Sequence, residues 1–389
     1  TRDFRSFMAS LMEKMYNDRV VFKNRMNELK QEQEDTGKDL SADIAKADNM
    51  QMAKKIQLNS AYGALGNEFF RWFDIRYAES ITLSGQLSIR WMEKHINEYL
   101  NKTLDTNEVD YVIACDTDSM YITLDRLVEK TFENKEAKRD DILRWMDLVA
   151  GKVFEPFIDK TFTKLAKHVN AYEQKMFMKR EAIADKGIWT AKKRYALHVY
   201  DMEGVRYKEP IMKVMGLETQ RSSVPLICRD NMKAAIKLIF EKDEKALMEF
   251  VANFRNKFKS LSFEDVAFPR GVKGLDKYKN EVTIYNKGTP IHVRGALVFN
   301  NMLKEHDIEQ QYNPIYEGDK IKFCYLRLPN PARENVLAIN SALPKQFNIA
   351  QYIDYEKQFE KSFLEPMKNI AETIQWRLER GQATLEDFF

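Results

Sequence analysis

The segment from Tyr111 to Leu124, YVIACDTDSMYITL, constrains this chain more than any other stretch. Two runs of β-branched and aromatic residues flank a short polar centre, which is the pattern of a β-hairpin, and the tip carries Asp116 and Asp118. Two acids at i and i+2 beside such a turn can converge on one hard cation, and Mg²⁺ sites commonly combine one or two carboxylates with substrate phosphates. The same residues also suit a solvated acidic turn, because Asp and Ser are ordinary turn formers. The hairpin alone leaves both readings open.

The remaining sequence is that of a globular protein with material for two or three domains in 389 residues. The 62 Lys and Arg nearly balance 59 Asp and Glu, so the formal charge of +3 gives no global argument for a nucleic acid partner and charge must be read locally. Cys115, Cys228 and Cys324 are far apart, odd in number and without CxxC spacing, which argues against a zinc or redox site and for a reducing, intracellular setting. No apolar run approaches the roughly 18 residues of a membrane span, and no signal peptide opens the chain. The first residue is Thr, which points to an internal cut or a processed end.

Apolar residues at three- and four-residue spacing from Phe4 predict an amphipathic helix reaching the region Gln31 to Asp35. Gly37 breaks it, and a second helix runs from Ser41, as N-cap, to Leu65, giving a helical hairpin. Lys55, Asn59 and Tyr62 then share one face at i, i+4 and i+7, followed by Gly63. A cation, an amide and a phenol make a poor core stripe and a good grip on a nucleoside triphosphate, with Gly63 leaving room for close approach. A solvated helical face fits the same residues. A further helix is expected over Trp72 to Leu100, leading into the Asp116 hairpin, and another over Asp140 to Phe154.

Alternation predicts a strand over Ala171 to Ile183. Between Lys175 and Lys213 ten Lys or Arg face five Asp or Glu, with Tyr and Trp interleaved, a combination suited to a nucleic acid backbone or to an ordinary exposed ribbon. Beyond Val224-Pro225 the pattern turns predominantly helical, most clearly from Asp230 to Phe258, and basic loops follow between Arg270 and Arg294. A last helical region carries Tyr352, Tyr355, Phe359, Phe363, Ile370, Ile374 and Leu378, with Pro366 marking a break or new start. The chain stops at GQATLEDFF, in which Gln382, Leu385, Phe388 and Phe389 form a short anchor motif able to fill a partner's pocket or to fold back on its own domain.

Taken in order, KKIQLNSAYG (Lys54 to Gly63), DTDS (Asp116 to Ser119) and KKRY (Lys192 to Tyr195) strongly resemble family B DNA polymerases, above all the replicative polymerases of T-even-type bacteriophages. The likeness continues through DMEGVRYKEP, MGLETQRSS and KGTPIHVRGA and so covers nearly the whole chain. It implies an α+β fold, the C-terminal part of a right hand. Residues 1–66 would be helical-hairpin fingers, 67–224 an antiparallel-sheet palm with helices, and 225–389 a mainly helical thumb. By the same resemblance Lys55, Asn59, Tyr62 and Gly63 bind the incoming dNTP, and Asp116 and Asp118 are catalytic and hold two Mg²⁺ ions, Asp118 most directly. Thr117, Ser119, Lys192, Lys193, Arg194 and Tyr195 contact primer-template DNA, Glu181 stands near the metals, and residues 382–389 bind a sliding clamp.

Two features of the family are expected and not found in this sequence. One is the DxxSLYPS-like strand before the fingers, which supplies an essential catalytic Asp, and the other is the exonuclease region preceding it. Asp201-Met202-Glu203 spells the DxE of a proofreading site but is explained by ordinary polar alternation in a strand. The expectation is therefore a polymerase portion working in a host cytoplasm and completed by an N-terminal part, as a separate polypeptide or from one uncut chain. The alternative is a non-catalytic DNA- and clamp-binding module.

Overall fold

The structure, a computed structural model, describes residues 5–133 and 137–379. It is a mixture of helices and small antiparallel sheets that divides into two units. The first holds the described residues up to Asp185 together with His198–Ile211, and the second holds Lys186–Leu197 and the described residues from Met212 onward. Among the described residues no helix is long and apolar enough to cross a membrane.

The first unit opens on the expected helical hairpin, α1 (Phe7–Thr36) and α2 (Ser41–Leu65). Ser6 caps α1 by accepting the Ala9 N–H, and Gly37 ends it in the left-handed region at φ 71°. Ser41 is the first helical residue of α2 and not its N-cap. Its N–H is taken by the Asp39 carboxylate at 3.0 Å, and the Ser41 hydroxyl together with this N–H holds the Asp39 carboxyl below its ordinary range. Met26, Leu29 and Ala47 form a small core between the two helices. Arg19 to Gln51 at 3.3 Å and Lys54 to Asp18 at 3.1 Å fasten the outer part of the pair.

Helix α3 (Ile75–Leu104) begins at the N-cap Asp74 and changes character along its length. Its second half buries Ser88, Met92, Ile96 and Leu100 at four-residue spacing. Met92, Ile96 and Leu100 join Tyr111, Val112 and the apolar face of α6 (Glu155–His168) in one core. Against that core lies the hairpin β1 (Val112–Asp116) and β2 (Ser119–Ile122), followed by α4 (Asp125–Phe132) and α5 (Arg139–Val149). A π turn over Ala150–Phe154 joins α5 to α6 directly ahead of Pro156. The same arrangement recurs in the second unit, where a π turn over Glu360–Leu364 precedes Pro366. A proline cannot donate to the i−4 carbonyl and its ring crowds that turn, and a widened turn absorbs both defects. Pro366 therefore marks the new start of α13, as expected, while the helical run continues through the widened turn.

Residues 171–181 form no strand, contrary to the alternation seen there, and β3 runs over Ala182–Ala191. With β4 (Arg194–Met202) and β5 (Val205–Met215) it makes a sheet of order β3-β4-β5, whose two-residue connections join antiparallel neighbours.

In the second unit, α7 (Leu226–Glu241) and α8 (Glu244–Phe258) make up the helical stretch expected most clearly from Asp230 to Phe258. Asp243 separates the two helices by capping α8 through the Ala246 N–H. The short α9 (Phe263–Val266) leads to β6 (Phe268–Gly271). Next come α10 (Leu275–Tyr278), the strand pair β7 (Lys279–Asn280) and β8 (Ile284–Tyr285), and α11 (Ile291–Glu305). Strands β9 (Lys320–Tyr325) and β10 (Val336–Ile339) complete an antiparallel sheet of order β10-β9-β6 that the sequence did not announce. Gly295 lets α11 lie on this sheet, since a Cβ there would sit 3.0 Å from the Ala338 nitrogen. The helical run α12 (Tyr355–Phe359), the π turn and α13 (Glu365–Thr373) buries Phe359, Phe363, Met367 and Ile370 in the same core.

Candidate active site

The acidic hairpin is held from behind by two asparagines of α3. The Asn97 Oδ1 accepts the Tyr111 N–H at 2.8 Å, and Asn101 takes the Val109 N–H at 3.0 Å while donating to the Val109 carbonyl at 2.8 Å. These bonds fix the chain entering β1 to a buried helix, so the tip projects from a rigid base. At the tip Asp116 pairs in register with Ser119, and the Asp118 N–H reaches the Asp116 carbonyl at 2.7 Å. This i→i+2 closure places Thr117 at φ 59°. Thr117 donates from its hydroxyl to the Asp116 carboxylate at 3.1 Å, and the Ser119 hydroxyl donates to the Asp116 carbonyl at 3.2 Å.

Asp116 is half-buried and oriented by Thr117, whereas Asp118 is exposed. The tip thus offers two hard carboxylate donors with different surroundings, which is a donor set that suits Mg²⁺ when substrate phosphates share the ion. Cys115 does not add a third anionic ligand. Its thiol is pushed up to about 11 by desolvation, and further by the carboxylates of Glu93 and Asp110, so it stays protonated at neutral pH. Among the described residues no group of three or more His, Cys, Asp or Glu converges to hold a metal ion. Asp116, Asp118 and Glu181 therefore do not form such a group. Glu181 is exposed just ahead of β3, where its carbonyl accepts the Glu203 N–H at 2.5 Å.

Lys55, Asn59, Tyr62 and Gly63 are all exposed along α2. The neighbouring Lys54 turns the other way, to Asp18 of α1, and this separates one lysine that ties the hairpin together from one that is presented outward. A Cβ at Gly63 would meet nothing within 4 Å, so no contact inside the chain requires glycine there.

The KKRY segment divides in two. Lys192 and Lys193 form the two-residue connection between β3 and β4 and are exposed, with Lys193 at φ 63°. Arg194 and Tyr195 face inward. The Arg194 guanidinium meets the two Glu218 oxygens at 2.7 and 2.6 Å, and Tyr195 is buried with its ring stacked on Trp189 at 6.2 Å. Gly216, at φ 65°, lets the next segment run under this turn, because a Cβ there would lie 2.0 Å from the Lys193 carbonyl oxygen. The GLE of MGLETQRSS is thus the support of KKRY, a pairing across 24 residues that no local pattern reveals. Gln382, Leu385, Phe388 and Phe389 lie outside the described residues.

Comparison with known proteins bears on this geometry directly. The family model for DNA polymerase family B matches residues 1–135, a span that holds both the Lys55 face and the acidic hairpin. Over 355 residues the chain is 36% identical to the DNA-directed DNA polymerase of Enterobacteria phage T4, covering 88% of this chain and 39% of that protein. It is 35% identical over 352 residues to the polymerase of Escherichia phage RB69, covering 87% of this chain and 38% of the relative. The chain is similar to family B DNA polymerases over residues 1–135 and to the phage DNA polymerases along most of its own length. A more distant likeness, 22% identity over 262 residues, links the chain to DNA polymerase 1 of Aeropyrum pernix. The chain spans about two-fifths of the length of the two phage relatives it matches.

One arrangement in the chain went unseen in the sequence. Asp201 is not part of a simple polar alternation. It is buried at 1% exposure, paired to Arg180 and to the Arg206 Nε at 3.0 Å, and accepts the Gly204 N–H at 3.0 Å. Arg180 continues to Asp147 at 2.7 Å. Glu203, in the β4–β5 turn, pairs with Lys23 of α1 at 2.6 Å, and the Gln31 side chain accepts the Arg206 N–H at 2.8 Å. The buried side chain and two arginines assign the DxE to structural fastening. The only sequence signal was an Asp with basic residues 21 before and 5 after it.

Proposed function

We propose that this chain is the fingers, later palm and thumb portion of a DNA-directed DNA polymerase, adding dNTPs to a primer 3′-hydroxyl under template direction. The observation that carries the reading is the Asp116–Ser119 turn, which presents two carboxylates at an open hairpin tip inside the span matched by the polymerase family model. Asp118 and Asp116 would hold two Mg²⁺ ions together with the triphosphate. Bound there, the ions would activate the 3′-hydroxyl and neutralise charge developing on the transferred phosphoryl group.

The other roles follow from the exposed chemistry. Lys55 supplies a point charge to the triphosphate, Asn59 a two-way hydrogen-bonding group, and Tyr62 a flat surface for the nascent pair beside the open Gly63. Lys192 and Lys193 grip the primer-template backbone, with Arg194 and Tyr195 shaping the turn that presents them. Thr117 orients Asp116, and Ser119 closes the turn near the primer end. Glu181 is assigned to the metal region as an outer electrostatic contributor. In the family that the chain resembles, one essential Asp comes from a strand before the fingers, so an N-terminal part supplies that catalytic Asp and the exonuclease. The tail from Gln382 to Phe389 docks on a sliding clamp, and the enzyme works in the cytoplasm of an infected host.

The test is Asp118→Asn in enzyme reconstituted with the N-terminal part. Loss of the carboxylate removes several kcal/mol of transition-state stabilisation, so incorporation should fall by about a hundredfold to a thousandfold. Unchanged incorporation by a correctly folded variant would show that the hairpin is an acidic turn and nothing more.

A further inference from the structure

We propose that the first unit carries a second nucleic acid contact, a cationic cleft that takes the phosphodiester backbone of a single strand. The cleft, of about 540 Å³, opens between the end of α1, the start of α5 and the adjoining parts of β4 and β5. Lys138, Arg139, Arg144, Arg206 and Lys208 line it, against the two carboxylates Asp35 and Asp140. None of these residues belongs to the acidic hairpin, the Lys55 face or the KKRY turn.

Of these cations only Arg206 has a carboxylate partner among the described residues, the buried Asp201. Lys138, Arg144 and Lys208 are exposed and make no ion pair among the described residues. Arg139 lies over the Tyr200 ring at 4.8 Å, an arrangement that fixes the guanidinium plane while leaving its N–H groups to an outside acceptor. Arg206 is anchored through its Nε to buried Asp201, so its remaining donors are pre-aimed. Gln31 donates to Asp35 at 2.8 Å, occupying one of the two opposing carboxylates. Gathering like charges in a concavity costs self-repulsion, and an anionic ligand converts that cost into binding energy.

The aromatic content chooses among anions. Tyr200 is buried beneath Arg139 and holds it, while Tyr207 is half-buried in the lining of the same cleft, and an accessible tyrosine beside arginine is the composition that tracks single strands, through phosphate contact and stacking. The choice of a nucleic acid over an acidic protein segment rests on the polymerase reading, so the test reads binding and needs no catalysis.

The full chain is titrated with a fluorescein-labelled oligothymidylate by anisotropy between 50 and about 200 mM salt, a range over which phosphate contacts are resolved. The triple variant R139Q/R144Q/K208Q is compared with K233Q/K237Q/K368Q, which removes equal charge from surface helices, and thermal melts confirm that both fold. The proposal expects the cleft variant to bind at least about tenfold more weakly, with its log–log salt slope shallower by roughly 2, while the control stays within about twofold. Equal weakening by both variants would mean diffuse charge and would overturn the cleft. Unchanged oligonucleotide affinity, with loss of poly-glutamate binding in the cleft variant alone, would assign the cleft to an acidic protein segment and overturn the proposal equally. Failure of template-directed synthesis with a positive binding result would count against the polymerase reading and leave the cleft standing.

Discussion

At the scale of single residues, the legible part of the candidate site is the part that faces solvent. Lys55, Asn59 and Tyr62 were readable because a helix repeats every 3.6 residues and a core stripe does not mix a cation, an amide and a phenol. The structure leaves all three exposed. Arg194 and Tyr195 were expected to contact DNA because KKRY resembles a family motif, but a motif cannot tell an outward cation from one held by a distant carboxylate. The Glu218 that holds Arg194 is visible only once the chain has folded. The outward lysine gives a sharp prediction. Truncating Lys55 to Ala removes one charge-assisted hydrogen bond to phosphate, a contribution of about 1.5–3 kcal/mol. Steady-state kinetics of the reconstituted enzyme should show the KM for dNTP raised about tenfold to a hundredfold with kcat much less affected. A normal KM would remove Lys55 from the nucleotide site.

At the scale of elements, the extent of the first helical hairpin was legible and the strands only partly. α2 runs over the expected residues, Ser41–Leu65, although Ser41 opens the helix instead of capping it. The stretch 171–181 alternates like a strand but has no neighbour to pair with, and β10 is four residues long and buried throughout, which gives no alternation to detect. Two element joints carry predictions. Gly216→Ala would place a Cβ 2.0 Å from the Lys193 oxygen at a positive φ, so it should cost more than the ~1–2 kcal/mol of a left-handed residue alone and visibly lower the melting temperature. An unchanged melt would mean that the KKRY turn is not packed against this segment. Asp201→Asn would leave Arg180 and Arg206 without their shared carboxylate, a loss of about 3–5 kcal/mol for a broken buried pair. Chemical denaturation should report this as an earlier midpoint, and a midpoint within error of the parent would contradict the fastening role.

At the scale of the whole molecule, ordered motifs identified the family where no single motif could, because three moderate signals at fixed order exclude most accidental agreement. The central claim is that the chain holds one part of a polymerase site and that an N-terminal part holds the rest. The relatives at 36% and 35% identity are far longer than the stretch shared with this chain, and the hairpin contributes two carboxylates to chemistry that uses bridging sets. Primer extension on a defined template measures the claim most directly, with this chain alone, the N-terminal part alone, and the two combined in the presence of Mg²⁺. Only the combination should extend the primer, and it should insert the nucleotide complementary to the template. Equal extension by this chain alone, or no extension by a stable complex of the two, would contradict the account.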